Sequence, residues 1–563
     1  MFYLLNATKT AKNYGSATQQ HNKNQATPLR NDDDGHNDIP SDLLLPPIFE
    51  DEQQYYLLNI DEALQRLGMG KFQYRIMMAT GLFLAADSCE VVILSFLSYV
   101  AKSREWKSSH ENNMMEGFSE GDAYDSDTTD GGDALSSMVL PGALLGALLW
   151  GVLGDLVGRR VVFLAISALV SMFGVATSFV STFQWLLATR ILVSFGIGGL
   201  TVPFNACAEL LPPSARGKQL VILQVFWTAG ALVVHLMLQQ QEQENIADSN
   251  KFLWRLIAGF CAVPSMLSTI LAWMYVPESP RWLLAQGNQE TALATLRHAA
   301  KINGKDPYET FPKGVILYSH EPEEVSCSLS QVMTLFSSGW MSITAALAAT
   351  YFGKAFLDHG TVSMAVKVFS NDERQQDYQA WFSASSEFLG LILVYITIDR
   401  WGRAATQCLA YASGGLVCLT LALLGDYDPN INPNGLLIMA FMAHLFINSA
   451  TTATWIATTE VLSTAIRTTG HGTSHAIARV GGAFSNYVLA RIYSLPTVGL
   501  ILFVTGIWTA SASSKLPETN VKEMGVVHYP IQRRSGPHKL QRRTQKTPEV
   551  ARQNHQQQYH EVI

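Results

Sequence analysis

Twelve apolar runs, each about 20 residues long, constrain this 563-residue chain more than any other feature. A run of that length crosses a hydrocarbon core of roughly 30 Å as a helix. Inside a bilayer, only helices and closed barrels satisfy every backbone polar group. The runs fall at 76–99, 134–154, 161–181, 185–208, 219–239 and 253–276. After a polar break they resume at 338–357, 380–398, 404–424, 435–459, 472–490 and 494–514. The expected fold class is an all-α membrane protein, with 12 transmembrane helices in two six-helix bundles. Charged residues make up only 15% of the chain, against roughly 25% in a typical soluble domain.

The polar remainder sets the domain boundaries. Residues 1–70 are rich in Asn, Gln, Asp and Thr and are expected to form a disordered cytosolic tail, with an amphipathic lead-in at 53–70. The first bundle is placed at 71–276, a basic cytosolic linker at 277–337, the second bundle at 338–520, and a basic cytosolic tail at 521–563. Arg159, Arg160, Arg216, Lys218, Arg281, Arg400, Arg403 and Arg467 all fall on connections of one parity. By the positive-inside rule these connections and both termini are cytosolic. The loop at 100–133, with nine acidic and three basic residues, then lies on the opposite side.

Two turns organise the halves. In WGVLGDLVGRR (150–160), Gly151, Gly154 and Gly158 permit close approach and a sharp bend. Asp155 can cap a helix start, and Arg159 and Arg160 mark the connection as cytosolic. A shorter version, Asp399, Arg400, Trp401, Gly402 and Arg403, lies between runs eight and nine. The echo extends further. Glu209 precedes Arg216 by seven residues after the fourth run, as Glu460 precedes Arg467 after the tenth. Pro277-Glu278-Ser279 follows the sixth run, as Pro517-Glu518-Thr519 follows the twelfth. Corresponding echoes in two halves indicate duplicated bundles of the transporter kind. The acids and bases at these helix ends are candidate gating groups, pairing when that side is shut and separating when it opens.

Ionisable groups within apolar runs are functional candidates, since each costs at least about 2.5 kcal/mol at the membrane centre. Asp87 lies eleven residues into the first run, about 16 Å deep at 1.5 Å per residue. Glu90, three residues on, shares its helix face. Such carboxylates can take up a proton in one conformation and release it in another. Glu387, Lys354, Asp358 and Arg479 also fall in or beside apolar runs. Lys354 and Asp358, four apart, are expected to pair with each other, and Glu387 is a candidate partner for Arg479. Trp227 and Trp455 occupy comparable places in the two halves and are candidate cavity aromatics. The cysteines suggest neither a disulfide framework nor a metal site. No phosphate-binding loop or hydrolase motif is found, so neither a cofactor nor nucleotide hydrolysis is expected.

The segments GVLGDLVGRR, RILVSFGIGG, ELLPPSARGK, PESPRWLL, IDRWGR and PETN resemble the major facilitator superfamily, in the form shared by sugar porters. GMGKFQYR, GLFLAADSCEVVILS and TEVLSTAIRTTGHGTSHAIARVG are similar to the synaptic-vesicle glycoprotein-related group and its organic-ion transporter relatives. The resemblance spans roughly 66–520 and implies alternating access around a central cavity. It implies Arg190 as the partner of a first-helix acid, because related proton-coupled members make that pair. Gln224 falls where sugar porters place a substrate-binding Gln, and Glu387 has a counterpart in the vesicle-protein group. The seventh run, ITAALAATYFGKAFLDHG, lacks the paired Gln of sugar porters and so argues against a sugar.

The expected function is secondary transport of a small organic solute, an organic ion moved with H+, by a monomer that binds no nucleic acid and no metal. A facilitative sugar-type carrier, or a vesicle membrane protein with a receptor role, are the alternatives. Plasma membrane and intracellular vesicle membrane fit equally well. The basic tail then faces lipid headgroups or solvent.

Overall fold

A computed structural model describes residues 56–102, 131–242, 253–319, 330–369, 375–427, 433–520 and 524–525. The expected tails before 56 and after 525, and residues 103–130 of the acidic loop, lie outside the described residues. A strand, β1 (Tyr56–Asn59), leads into helix α1 (Ile60–Leu67). The first half continues with α2 (Lys71–Lys102), α3 (Gly131–Val157), α4 (Arg159–Thr177), α5 (Phe183–Gly198), α6 (Thr201–Leu210), α7 (Pro213–Glu242), α8 (Leu253–Cys261) and α9 (Val263–Tyr275). The linker carries α10 (Pro280–Ala285), α11 (Gln289–Ile302), α12 (Pro307–Thr310), β2 (Val315–Tyr318) and α13 (Ser330–Thr334). The second half comprises α14 (Met341–Val368), α15 (Gln375–Thr397), α16 (Arg403–Tyr427), α17 (Pro433–Val461), α18 (Arg467–Ala490) and α19 (Leu495–Ser513).

Helix forms at each of the twelve expected places, but among the described residues only nine spans are long and apolar enough to cross a membrane. Two of the nine are helix pairs with a short break, α5–α6 and α8–α9. The places that fall short are α14, α15 and α18. Helix α14 carries Lys354, Asp358, His359 and Lys367, and α18 carries Arg467, His471, His475 and Arg479. In α15 the apolar part is Ser385–Thr397. Nine of the twelve expected spans are thereby borne out among the described residues. The two polar helices keep most of these charged and imidazole groups against other protein.

Two further departures concern the N-terminal region. The fold is not purely helical, because β1 and β2 pair in parallel, with Tyr56 opposite Val315 and Asn59 opposite Tyr318. The expected disordered tail therefore stops short of residue 70. Asn59 caps α1 by accepting from the Asp61 N–H at 2.8 Å, and Gly68 ends it with φ 65°. Ile60, Ala63, Leu64 and Leu67 form its buried stripe, the amphipathic spacing that seats a surface helix.

The polarity of the body is inverted relative to a soluble protein. Leu149, Met172, Phe179, Trp273, Leu500 and Val504 are exposed, while Asp87, Glu90, Arg190, Arg159, Glu209 and Arg467 are buried. Apolar faces turned outward and ionic groups turned inward are what a lipid solvent selects. Within the first half, α2 packs on α7 and α9, and α3 packs on α5. In the second, α16 packs on α19 and α17, and α14 packs on α18. The halves meet where α3 runs along α18 and α7 along α15. Gly151 makes the first of these crossings possible: a Cβ there would meet the Thr468 carbonyl oxygen at 2.7 Å. Any side chain would push the helices apart.

Candidate functional site

Two sets of polar groups lie on the contact between the halves. One is at the end that carries the linker, where α3 turns into α4. Gly158 adopts φ 110°, and Gly402 adopts φ 88° at the equivalent turn into α16. Each turn is capped by the acid of a Pro-Glu motif. Glu278 accepts from the Arg159 N–H at 2.8 Å, and Glu518 accepts from the Arg403 N–H at 2.9 Å. A carboxylate at a helix N-terminus satisfies open N–H groups and complements the dipole. Burial raises the Glu278 carboxyl above its ordinary value even though backbone donors oppose the shift.

Asp155 accepts from the N–H groups of Thr468 (3.2 Å) and Thr469 (2.7 Å), so a residue of the first half caps α18 of the second. Arg159 lies 3.0 Å from Asp155 and 3.4 Å from Glu209, and donates to the Thr464 carbonyl at 2.5 Å. Arg467 reaches across to Glu209 at 2.6 Å. Thr468 Oγ1 donates to the Gly151 carbonyl at 2.6 Å, beside Gly154. These groups are almost wholly removed from solvent.

The second-half counterpart is built differently. Arg403 grips Glu460 with two donors, at 2.9 and 3.2 Å, and also contacts Asp399 at 3.1 Å. Thr519 and Asn520 complete that cluster from the end of the chain's last helix. Lys218 approaches Asp399 from the first half at 3.5 Å, half-exposed. Arg216 pairs with Asp61 of α1 at 3.0 Å, and Arg281 pairs with the same carboxylate oxygen. Burial alone would raise the Asp61 carboxyl, but the Arg281 and Arg216 charges outweigh it and hold it below the usual carboxylate range. Arg160 donates to the Trp273 carbonyl at 3.3 Å, and Arg400 is exposed.

The other set sits mid-way along the helices. Glu90 and Arg190 form a buried pair, the partnership implied by the resemblance. Glu90 Oε1 and the Nε and Nη1 of Arg190 have no hydrogen-bond partner. One face-turn away, Asp87 Oδ2 accepts from the Trp227 indole at 3.0 Å while its Oδ1 is buried and unpaired. Arg479 forms no ion pair with a described carboxylate, and its Nε is buried without a hydrogen-bond partner. Glu387 is half-buried on α15. Gln224 is half-buried on α7, three residues before Trp227.

Lys354 and Asp358 do not close the ion pair their spacing suggests. Asp358 accepts from the Thr451 hydroxyl at 3.2 Å, while Lys354 Nζ lies over the rings of Tyr351 (5.3 Å) and Trp455 (5.4 Å). Trp455 also stacks edge-on against Phe204, His471 and His475, with centroids 5.2, 4.9 and 5.0 Å away. His471 Nδ1 contacts Asn205 Oδ1 at 3.1 Å, leaving its Nε2 unpaired, and His475 Nδ1 is also unpaired. Trp227 and Trp455 therefore serve different polar neighbours.

Sequence reasoning missed Asp61, Glu278 as a cap, and the N–H groups of Thr468 and Thr469. A signal for Asp61 was present: Asn59, two acids in the next turn, an apolar stripe and Gly68 spell a capped helix.

Comparison with known proteins places these features in context. The model of the family described as "Sugar (and other) transporter" matches residues 91–518. A synaptic vesicle 2-related protein of Xenopus laevis is 29% identical over 484 residues, covering 81% of this chain and 80% of the relative. Organic cation/carnitine transporter 7 of Arabidopsis thaliana is 27% identical over 494 residues, covering 79% and 91%. Among solved structures, the proton:xylose symporter XylE from E. coli superposes with a TM-score of 0.63 at 18% identity, covering 81% of this chain and 98% of that one. That likeness carries the major facilitator fold.

Proposed function

Because this chain belongs to the sugar (and other) transporter family of the major facilitator superfamily, we propose that it carries a small organic ion across a membrane by alternating access, coupled to H+. Residues 71–276 and 338–520 are the two rocking bodies of twelve membrane helices, joined by a cytosolic linker. The linker end is the cytosolic end, and it is shut. The observation that carries this reading is the contrast along one interface. Its linker end is closed by buried ion pairs between the halves, Arg159 and Arg467 on Glu209. Its middle gathers polar atoms that lack partners, on Asp87, His471, His475 and Arg479. Buried groups without partners cost free energy, and a solute or an ion that visits them offsets that cost.

In this cycle, the gating groups at 151–160, 209, 216, 399–403, 460 and 467 hold the cytosolic side shut until the solute settles. Asp87 is the proton carrier: it has one unpaired oxygen and no basic group in salt-bridge contact. Glu90 is already neutralised by Arg190 and serves to keep α2 seated on α5. Purified protein in proteoliposomes tests the scheme. An inside-alkaline pH gradient drives uptake in the parent, and Asp87→Asn removes the response to the gradient while leaving exchange intact. Uptake that ignores the gradient in the parent removes the proton from the mechanism.

A further inference from the structure

The midpoint cluster also carries information about the charge of the solute. Lys354 is 6% exposed, yet among the described residues it has neither a hydrogen bond nor an ion pair. Its ammonium rests on two aromatic faces instead. Aromatic faces recover part of the lost hydration of a cation. That falls well short of what an ammonium loses on leaving water. Arg479, on α18, has its Nε buried without an acceptor and no ion pair with a described residue. His471 and His475, on the same helix, each leave one ring nitrogen unpaired. Lys354 lies over Trp455, and the Trp455 ring meets His475, one helical turn before Arg479 on α18, so the two cations flank a common space.

The carboxylates facing this space stop short of both cations. Asp358 accepts from Thr451 and bears on Lys354 only through its charge, beyond salt-bridge distance; Asp87, on α2, bonds Trp227 and likewise bears on Arg479 only through its charge. Glu90 is closed by Arg190. What remains on the second half is the Lys354 ammonium and the Arg479 guanidinium, flanked by Trp455, Tyr351 and Phe204.

We propose that this cluster is the docking site of an anionic group on the solute, a carboxylate held between Lys354 and Arg479 with its apolar part against Trp455. The inference rests on the transporter reading and narrows its organic ion to an organic anion. A carboxylate supplies acceptors to the Lys354 ammonium and the Arg479 guanidinium together, and Arg is suited to hold it with two parallel bonds. Its arrival also shields two like charges from each other. Asp87, on the opposite half, stays free to carry the proton that accompanies the anion.

A charge-matched ligand series tests this on the full chain in nanodiscs. Benzoate, benzyl alcohol and benzylammonium share a ring and differ in charge, and acetate and succinate extend the carboxylates. The expected result is that one or more of the carboxylates raises the melting temperature and that the neutral and cationic benzyl compounds do not. Lys354→Met and Arg479→Ala should each weaken carboxylate binding by roughly thirtyfold or more. Arg479→Lys, which keeps the charge, should retain part of the binding and guards against loss of fold in the Ala variant. Stabilisation by benzylammonium alone, or by none of the compounds, overturns the anion site. Carboxylate binding without flux in proteoliposomes keeps the site and removes the transporter reading. Flux of benzylammonium or benzyl alcohol, with no carboxylate bound or moved, does the reverse.

Discussion

The two glycine-rich turns share a sequence pattern but not a task. At the first, Asp155, Arg159 and Glu209 turn outward from their own half and fasten on Thr464, Arg467, Thr468 and Thr469 of the other. At the second, Asp399, Arg403 and Glu460 close on one another, sealed by Thr519 and Asn520. Lys218 extends a salt bridge from the first half to that cluster, at 3.5 Å and half-exposed. The equivalent of Arg467 in the first half, Arg216, is diverted to Asp61 of α1. One copy of the motif is a bolt between bodies, and the other is a brace within a body. A duplicated sequence therefore gives an asymmetric gate, in which one seam must break for the halves to part and the other has little to break.

That asymmetry orders the expected effects of substitution. Glu209→Ala should act most strongly, because it strands Arg159 and Arg467 in a buried site. Removing one partner of a buried pair costs about 3–5 kcal/mol. The measurement is a loss of thermal stability in nanodiscs together with faster alkylation of a cysteine placed at Thr464, which is buried in this state. Unchanged alkylation would remove the bolt from the gate. Asp61→Asn comes next, at about 2–5 kcal/mol, since Arg216 and Arg281 would face each other with only a neutral amide between them.

The same carboxylate sets an acid limit. Its pKa is lowered on folding, so the folded state binds fewer protons there than the unfolded chain does. The stabilisation from Asp61 is present in full above the ordinary Asp value of about 3.9 and is lost as pH falls through the depressed folded value. The Asp61→Asn variant should then lose less stability than the parent over that acid window. An equal loss would put the acid sensitivity elsewhere. Smallest is Lys218→Ala. An exposed pair contributes roughly 0–1 kcal/mol, and the effect should fade in high salt. A large effect here would make the second seam a bolt as well and erase the comparison.

Much of this arrangement was legible in the chain. Helix-length apolar runs fixed where the helices lie, because the bilayer admits few alternatives. That Glu90 and Arg190 need partners is legible from two charges in an apolar setting, but their pairing with each other was implied only by the family resemblance. The failures have physical causes. Helices α14 and α18 are expected as ordinary apolar spans, yet Lys354 on α14 and Arg467, His471 and His475 on α18 are buried against other protein, and these polar side chains lower the mean hydropathy of the two helices. The i, i+4 spacing of Lys354 and Asp358 suggested a pair, but spacing on one helix says nothing of Tyr351, Trp455 and Thr451, which compete for the two groups. Glu209 and Arg216 recur seven residues apart, as do Glu460 and Arg467. The repeat is real, but each Arg finds its acid on a different element, and linear distance does not encode that.

The parallel pairing of Tyr56 with Val315 imposes an order on biosynthesis. A ribosome adding roughly 5–20 residues per second emits the first strand well before its mate, so the leading segment waits tens of seconds while six helices are inserted. Arg216 and Arg281 emerge during that interval with their counter-charge tethered but undelivered. Pairing of the leading strand is therefore a late step in maturation, possible only once the first half and the linker have both been made.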